Sequence, residues 1–183
     1  IYIATSAGAR MQSLSKVKVI SMGTEGDRYT NDKGAYSDIY PKKTRHLSLI
    51  TESGIATANE WLLAGDEPTF DASQTRRNIV ISNMSSDELN SLVGKSFILG
   101  PLILKGTELC TPCQRPAQLL NKPNFIDAFE GRGGLRAEII KTGEDGISLQ
   151  KQDIKKTPAA HSPGYGLSTP AQQESFSPWE TPR

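Results

Sequence analysis

The sequence has little of the side chains on which most catalytic and metal sites depend. Its 183 residues include two histidines, His46 and His161, and two cysteines, Cys110 and Cys113. No G-x-S-x-G or H-E-x-x-H segment is present, which excludes the nucleophile motif of the α/β-hydrolases and the helical zinc motif of metalloproteases. Two single histidines far apart in the chain also argue against histidine-based general acid–base catalysis.

An excess of one charge and long apolar runs are also absent. The chain has 21 Lys and Arg against 20 Asp and Glu, a net charge of +1, whereas nucleic-acid-binding proteins usually show a basic excess or stripe. No apolar run is long enough for a transmembrane helix, and no signal-peptide pattern opens the chain. Because two cysteines cannot cross-link a fold of this size, we expect a protein of the reducing cytoplasm that binds neither nucleic acid nor a membrane.

Most of the remaining pattern is typical of short strands joined by turns. Lys16–Ile20 alternates polar and apolar side chains, as a half-buried strand does. Thr51 can cap a helix from Glu52 to Leu63, and short helical turns are expected after Ser85 and near Ala117. Further strands are predicted at Ile1–Ala4, Leu47–Ile50, Asn78–Ile81, Lys95–Leu99, Leu102–Leu104, Leu135–Ile140 and Ile147–Leu149, the last two as closing strands joined across residues 143–146. This pattern favours a mainly β barrel over a layered α/β fold.

The composition changes at about Lys155. From there to the end of the chain, proline, serine, threonine and glutamine replace the apolar residues that could form a core. Such a segment is typical of a tail or a disordered extension. We therefore predict one domain over residues 1–154 and a Pro/Ser-rich tail over residues 155–183.

Cys110 and Cys113 form a C-x-x-C pair with three interpretations. A structural zinc site needs two further ligands at similar spacing, and only His46 and His161 are available. A thioredoxin-like redox pair needs the motif at the start of a helix in a βαβ unit. Two buried cysteines acting as small apolar side chains are the third interpretation, and the spacing alone does not decide among them.

Several basic segments could bind an anion. Arg76-Arg77-Asn78 lies at the start of a predicted strand, where adjacent guanidinium groups can hold a phosphate. The glycines of Gly23–Tyr29 could present backbone N–H groups to an anion, and Arg136 begins a later strand. For each segment taken alone, ordinary surface charge is the commoner explanation.

Six segments in one order are together similar to a known family. The similarity runs from Ile1 to about Ile154, and the chain resembles the MOSC domain, named for the C-terminal domain of molybdenum cofactor sulfurase. The matching segments are Gly26–Tyr29, Arg45–Ile50, Arg76–Val80, Leu89–Gly94, Gly106–Cys113 and Arg132–Ala137.

The resemblance implies a closed, mainly β barrel of the MOSC type with short peripheral helices. It also implies that the cofactor is the molybdenum cofactor, the pyranopterin molybdopterin, and that Cys113 is both the catalytic thiol and the metal ligand. Cys110 would then be a supporting cysteine or a redox partner of Cys113. The other residues expected to bind the cofactor are Thr51, Glu52, Arg76, Arg77, Asn78 and Arg136.

Two activities follow from this resemblance. The protein could be an oxidoreductase that reduces N-hydroxylated small molecules with an electron-donor protein, or a sulfur carrier that receives persulfide sulfur from a cysteine desulfurase. Metal-bearing relatives have an extra N-terminal β domain over the cofactor, so its absence here predicts transient cofactor binding. A non-catalytic binding barrel with an inert thiol and a C-x-x-C redox protein remain the alternatives.

Overall fold

Short strands make up most of the regular structure. The computed structural model describes residues 1–142, 145–155 and 159–160. Its strands are β1 (Tyr2–Ile3), β2 (Gln12–Ser13), β3 (Lys16–Ile20), β4 (Gly23–Thr24), β5 (Leu47–Thr51), β6 (Ile79–Ile81), β7 (Ser96–Leu99), β8 (Leu102–Leu109), β9 (Leu135–Lys141), β10 (Ile147–Gln150) and β11 (Ala159–Ala160). Its α-helices are α1 (Glu52–Ala64), α2 (Ser86–Asn90), α3 (Gln114–Leu120) and α4 (Phe125–Phe129), with 3₁₀ turns at Ala72–Thr75 and Lys151–Lys155.

The main sheet is a curled half-barrel in the order β11-β7-β8-β9-β5-β6. Its β8–β9 ladder changes register twice, between Ile103 and Leu104 and between Gly106 and Glu108, and such irregularities bend a strand. The closed barrel expected from the sequence is not confirmed. Closure requires the two end strands to pair, and within the described residues β6 and β11 form no pair and are only three and two residues long.

The two strands predicted to close the fold lie in different sheets. β9 pairs with β8 and β5 in the half-barrel, whereas β10 pairs with β3 in a small sheet that also holds β4. Both strands begin and end near their predicted positions. Their neighbours depend on which buried side chains meet, as when Leu149 of β10 pairs opposite Val17 of β3, and alternation along a single strand does not encode this.

Two apolar clusters hold the fold together. The larger one combines side chains from most strands of the half-barrel with Val17, Val19 and Leu149 of the small sheet. The smaller one joins α1 to α3 and α4 around Phe70, whose ring lies 5.3 Å from that of Phe125 and 5.5 Å from that of Phe129. Because α3 packs into this second cluster, the segment just before it, which contains both cysteines, has a fixed position.

The predicted helix after β5 is confirmed. Thr51 caps α1, and its Oγ1 accepts a hydrogen bond of 3.0 Å from the backbone N–H of Gly54. At 13 residues, α1 is the longest helix in the described chain, and none of the helices there could span a bilayer. Within the predicted tail, Ala159–Ala160 pair with β7; the tail beyond them lies outside the described residues.

Candidate functional site

The two cysteines differ in exposure. Cys110 is 4% exposed, its backbone N–H donates to the carbonyl of Gly134 at 2.7 Å, and its own carbonyl accepts from Arg77 at 3.3 Å. Cys113, immediately before α3, is exposed, and both thiols are free. The backbone of this segment is therefore held in place while one of its thiols remains open to solvent.

Cys113 opens onto a small pocket lined by guanidinium groups. The pocket has a volume of about 80 Å³, both cysteines line it, and no carboxylate does so in the described part of the chain. Its arginines are Arg28, Arg76, Arg77, Arg115 and Arg136. The structure thus brings four residues predicted from the sequence, Arg76, Arg77, Cys113 and Arg136, to one place.

Backbone carbonyls hold two of these guanidinium groups in position. Arg76 donates to the carbonyls of Ala7 and Ala9, both at 2.9 Å. Arg77 donates to Gly133 at 2.8 Å and to Thr75 at 3.1 Å, in addition to Cys110. A carbonyl orients a guanidinium group without neutralising its charge, so both cations remain unpaired at the pocket wall.

Only two of the five arginines have a carboxylate partner among the described residues. Arg28 lies 3.1 Å from Asp27, both buried, and Nε of Arg136 lies 3.2 Å from Glu108. Burial lowers the pKa of Arg76 to about 10, with further lowering from the positive charges of Arg28 and Arg115. Positive charge is therefore crowded here, and a bound anion would relieve the repulsion.

Tyr36 lines the same pocket as Cys113. The pKa of Tyr36 is raised, first by burial and then by the proximity of Cys113. The Tyr36 hydroxyl therefore stays protonated at neutral pH. Neither Tyr36 nor Arg115 was predicted from the sequence as a site residue; the only signal in the sequence is that Arg115 lies two positions after Cys113.

The structure does not bring Thr51, Glu52 or Asn78 into the arginine pocket. Thr51 is completely buried, and its hydroxyl caps α1 and contacts Ser86 at 3.2 Å. Glu52 is exposed beside a separate cavity of about 700 Å³. The Asn78 amide is used inside the fold, accepting from Ser48 at 2.8 Å and donating to Tyr2 at 3.2 Å. Their predicted contacts with the cofactor have no geometric support and stay predictions.

The sequence matches a known protein-family model. The MOSC domain family model matches residues 33–154, more than half of the chain and including Cys113. The chain belongs to the MOSC domain family. The matched segment contains Arg76, Arg77, Arg115 and Arg136, so most of the pocket is made by the MOSC domain itself.

Solved structures share this fold. YuaD from Bacillus subtilis is 20% identical with a TM-score of 0.62, over 82% of this chain and 88% of that one. YiiM from Escherichia coli is 12% identical with a TM-score of 0.56, over 88% of this chain and 69% of that one. No curated protein matches the sequence. At these identities the likeness establishes the fold only.

The family is associated with the molybdenum cofactor, and the pocket's donor set suits one end of such a group. An open thiol is a soft metal ligand, and guanidinium groups bind phosphate. The pocket is too small to enclose the whole cofactor, because its volume of about 80 Å³ is below the roughly 300–1,000 Å³ of pockets that enclose a drug-sized ligand. The pocket can receive the sulfur-binding or phosphate end of the cofactor, but it cannot enclose a pterin.

Proposed function

We propose that this MOSC domain is a sulfur carrier in molybdenum-cofactor-related chemistry, with Cys113 as the atom that carries the sulfur. One observation carries the proposal: the exposed thiol of Cys113 lines a pocket that contains five arginines and no carboxylate among the described residues. Exposure lets a partner protein reach the thiol, and the small volume favours brief contact with a large cofactor over its enclosure.

The transfer to Cys113 balances without a further reactant. The Cys113 thiolate attacks the terminal sulfur of a persulfide on a cysteine desulfurase. The new S–S bond forms as the old one breaks, and the desulfurase cysteine leaves as a thiolate. The protonated Tyr36 hydroxyl, which lines the same pocket, would be a hydrogen-bond donor to the transferred sulfur.

The arginines would position the acceptor. Arg76 and Arg77, already fixed by backbone carbonyls, would hold the cofactor phosphate with Arg115, and Cys113 would be the thiol available to the cofactor. When bound, the molybdenum cofactor would supply a metal with sulfur ligands. A reducing compartment such as the cytoplasm suits this role, because an exposed thiol near a second cysteine stays reduced there.

Desulfurase loading followed by mass spectrometry tests the carrier function. The purified protein is incubated with a cysteine desulfurase and cysteine, and the peptide containing Cys113 is analysed without reductant. We expect the added mass of one sulfur atom on Cys113 in the wild type and in Cys110→Ser, and none in Cys113→Ser. If Cys113 never gains sulfur, the carrier function is rejected.

A molybdenum oxidoreductase acting on N-hydroxylated compounds is the second candidate. The pocket favours it in one respect, since a thiol beside unpaired guanidinium groups is a donor set that could retain an anionic metal cofactor. Metal and pterin analysis of wild type and Cys113→Ser from a cofactor-producing host separates the two. Near-stoichiometric molybdenum in the wild type that is lost in Cys113→Ser would favour the oxidoreductase. A wild-type protein without molybdenum would favour the carrier.

An inert thiol or a C-x-x-C redox pair is less well supported. Inertness requires a thiol shielded from solvent, and Cys113 is exposed. Rapid alkylation of Cys113 in the native state would exclude the inert-thiol reading. A disulfide with Cys110 that forms and is reduced reversibly, with no sulfur uptake, would favour the redox reading.

A further inference from the structure

We infer that the arginine pocket binds a small sulfane-sulfur oxyanion of the thiosulfate class as a direct sulfur donor to Cys113. The domain would then be a thiosulfate sulfurtransferase that needs neither a desulfurase nor a metal. This inference rests on the proposed function, because it takes Cys113 as a sulfur carrier, and it adds a substrate class.

The size of the pocket selects a small ligand. A volume of about 80 Å³ is well below the roughly 300–1,000 Å³ of pockets that enclose a drug-sized ligand. A small tetrahedral oxyanion that carries one additional sulfur matches this size, whereas most of a nucleotide or a pterin would lie outside the pocket. The thiol that must attack the additional sulfur lines the same space.

The charge of the pocket selects an anion. After the ion pairs of Arg28 with Asp27 and of Arg136 with Glu108, three guanidinium groups are left without a carboxylate partner among the described residues. Of these, Arg76 and Arg77 are oriented by backbone carbonyls and Arg115 donates no hydrogen bond there. Donors fixed before the ligand arrives need no reorganisation to bind it.

The reaction balances in atoms and charge. The Cys113 thiolate attacks the sulfane sulfur, a new S–S bond forms, and the bond between the two sulfur atoms of the donor breaks. Sulfite leaves with the electron pair, and Cys113 is left as a persulfide. The guanidinium groups stabilise the charge that grows on the departing sulfite. A thiol acceptor, or cyanide in an assay, then removes the outer sulfur from Cys113.

The test uses the full chain from a host that cannot make the molybdenum cofactor. The protein is mixed with thiosulfate and cyanide, and thiocyanate and sulfite are measured. We expect saturable thiocyanate formation by the wild type, none above background by Cys113→Ser, and about tenfold higher KM for Arg115→Gln, since a charge-assisted hydrogen bond is lost. The control is Arg10→Gln, an exposed arginine outside this pocket, which should match the wild type.

A bulkier sulfur donor tests whether the pocket selects its ligand by size. A benzene-substituted thiosulfonate also donates a sulfane sulfur but is larger and has a better leaving group. Its kcat/KM, divided by its rate constant with a small thiol in solution, should be at least about tenfold below the same quotient for thiosulfate. Equal quotients for the two donors would overturn the inference, as would thiocyanate formation no faster than with Cys113→Ser. If Cys113 accepts sulfur from a desulfurase but not from thiosulfate, this inference fails and the carrier function stands. If neither donor loads Cys113, both fail.

Discussion

His46 illustrates how a single side chain can couple the fold to pH. Its Nδ1 accepts a hydrogen bond of 3.1 Å from the backbone N–H of Ile139 in β9, which requires the neutral ring. Burial lowers the pKa of His46 below its usual 6.5, with a smaller opposing effect from Glu138. A group whose pKa is lowered on folding stabilises the fold above its unfolded pKa, and this contribution is lost as the pH falls towards the folded pKa.

We therefore predict that the free energy of unfolding falls between about pH 7.5 and pH 5.5, in part through His46. His46→Asn keeps an acceptor near the position of Nδ1 but does not titrate, so its stability should change less over that range. Urea denaturation of both proteins at several pH values measures the difference. Identical pH profiles for the two proteins would contradict the assignment.

At this scale the sequence identified part of the site. The family resemblance placed Cys113, Arg76, Arg77 and Arg136 in one site, and the structure brings them together. It did not indicate Tyr36, which lies in an irregular loop whose position depends on tertiary contacts rather than on a local pattern. The polar side chains of Thr51 and Asn78 make hydrogen bonds within the fold, and their predicted contacts with the cofactor stay predictions.

Among the elements, the contact of β9 with β5 depends on a glycine. Gly134 has φ +95° and directly precedes β9, and a Cβ there would collide with the carbonyl oxygen of Leu49 in β5. Both the backbone conformation and the space therefore require glycine. The same turn includes Gly133, whose carbonyl holds Arg77, so it connects the sheet to the pocket.

Gly134→Ala should lower the free energy of unfolding by more than about 2 kcal/mol. The matched control is Gly8→Ala, because nothing lies within 4 Å of a Cβ at that position and its φ is not in the left-handed range. Chemical denaturation of both variants checks this. A Gly134→Ala protein as stable as Gly8→Ala would show that the sheet tolerates a shift at this turn.

The cap of α1 provides a second test at the level of an element. Thr51→Ala removes the acceptor for the Gly54 N–H and should cost about 1 kcal/mol, while Thr51→Ser should stay near wild type. If Thr51 serves only the fold, neither change should alter sulfur loading of Cys113. Loss of cofactor or sulfur binding in Thr51→Ala without loss of stability would instead support its predicted contact with the pterin.

The elements were largely predictable, and their pairing was not. Alternation and capping residues located β3, β5 and α1 to within a residue or so of their ends. Pairing depends on contacts between segments far apart in the chain, which explains why β9 and β10 were assigned to one closing unit. The prediction of a closed barrel also depended on which strands pair, and alternation along single strands does not show this.

In the whole molecule, the numbers of acidic and basic residues nearly balance, yet positive charge is concentrated at one pocket. The net charge is +1, yet five arginines and no carboxylate among the described residues line the pocket at Cys113. Composition excluded a broad basic surface, but it could not reveal charge concentrated by folding from distant segments. Fields of this kind raise the local concentration of anions and weaken as salt is added.

An exposed thiol at Cys113 should react faster with anions than with neutral reagents if its pocket attracts anions. The ratio of the alkylation rates of Cys113 with iodoacetate and with neutral iodoacetamide measures this, because the ratio cancels the thiolate fraction. Relative to unfolded protein, we predict a native ratio about tenfold higher that falls with added salt and in Arg115→Gln. A native ratio equal to the unfolded one, and insensitive to salt, would contradict the account.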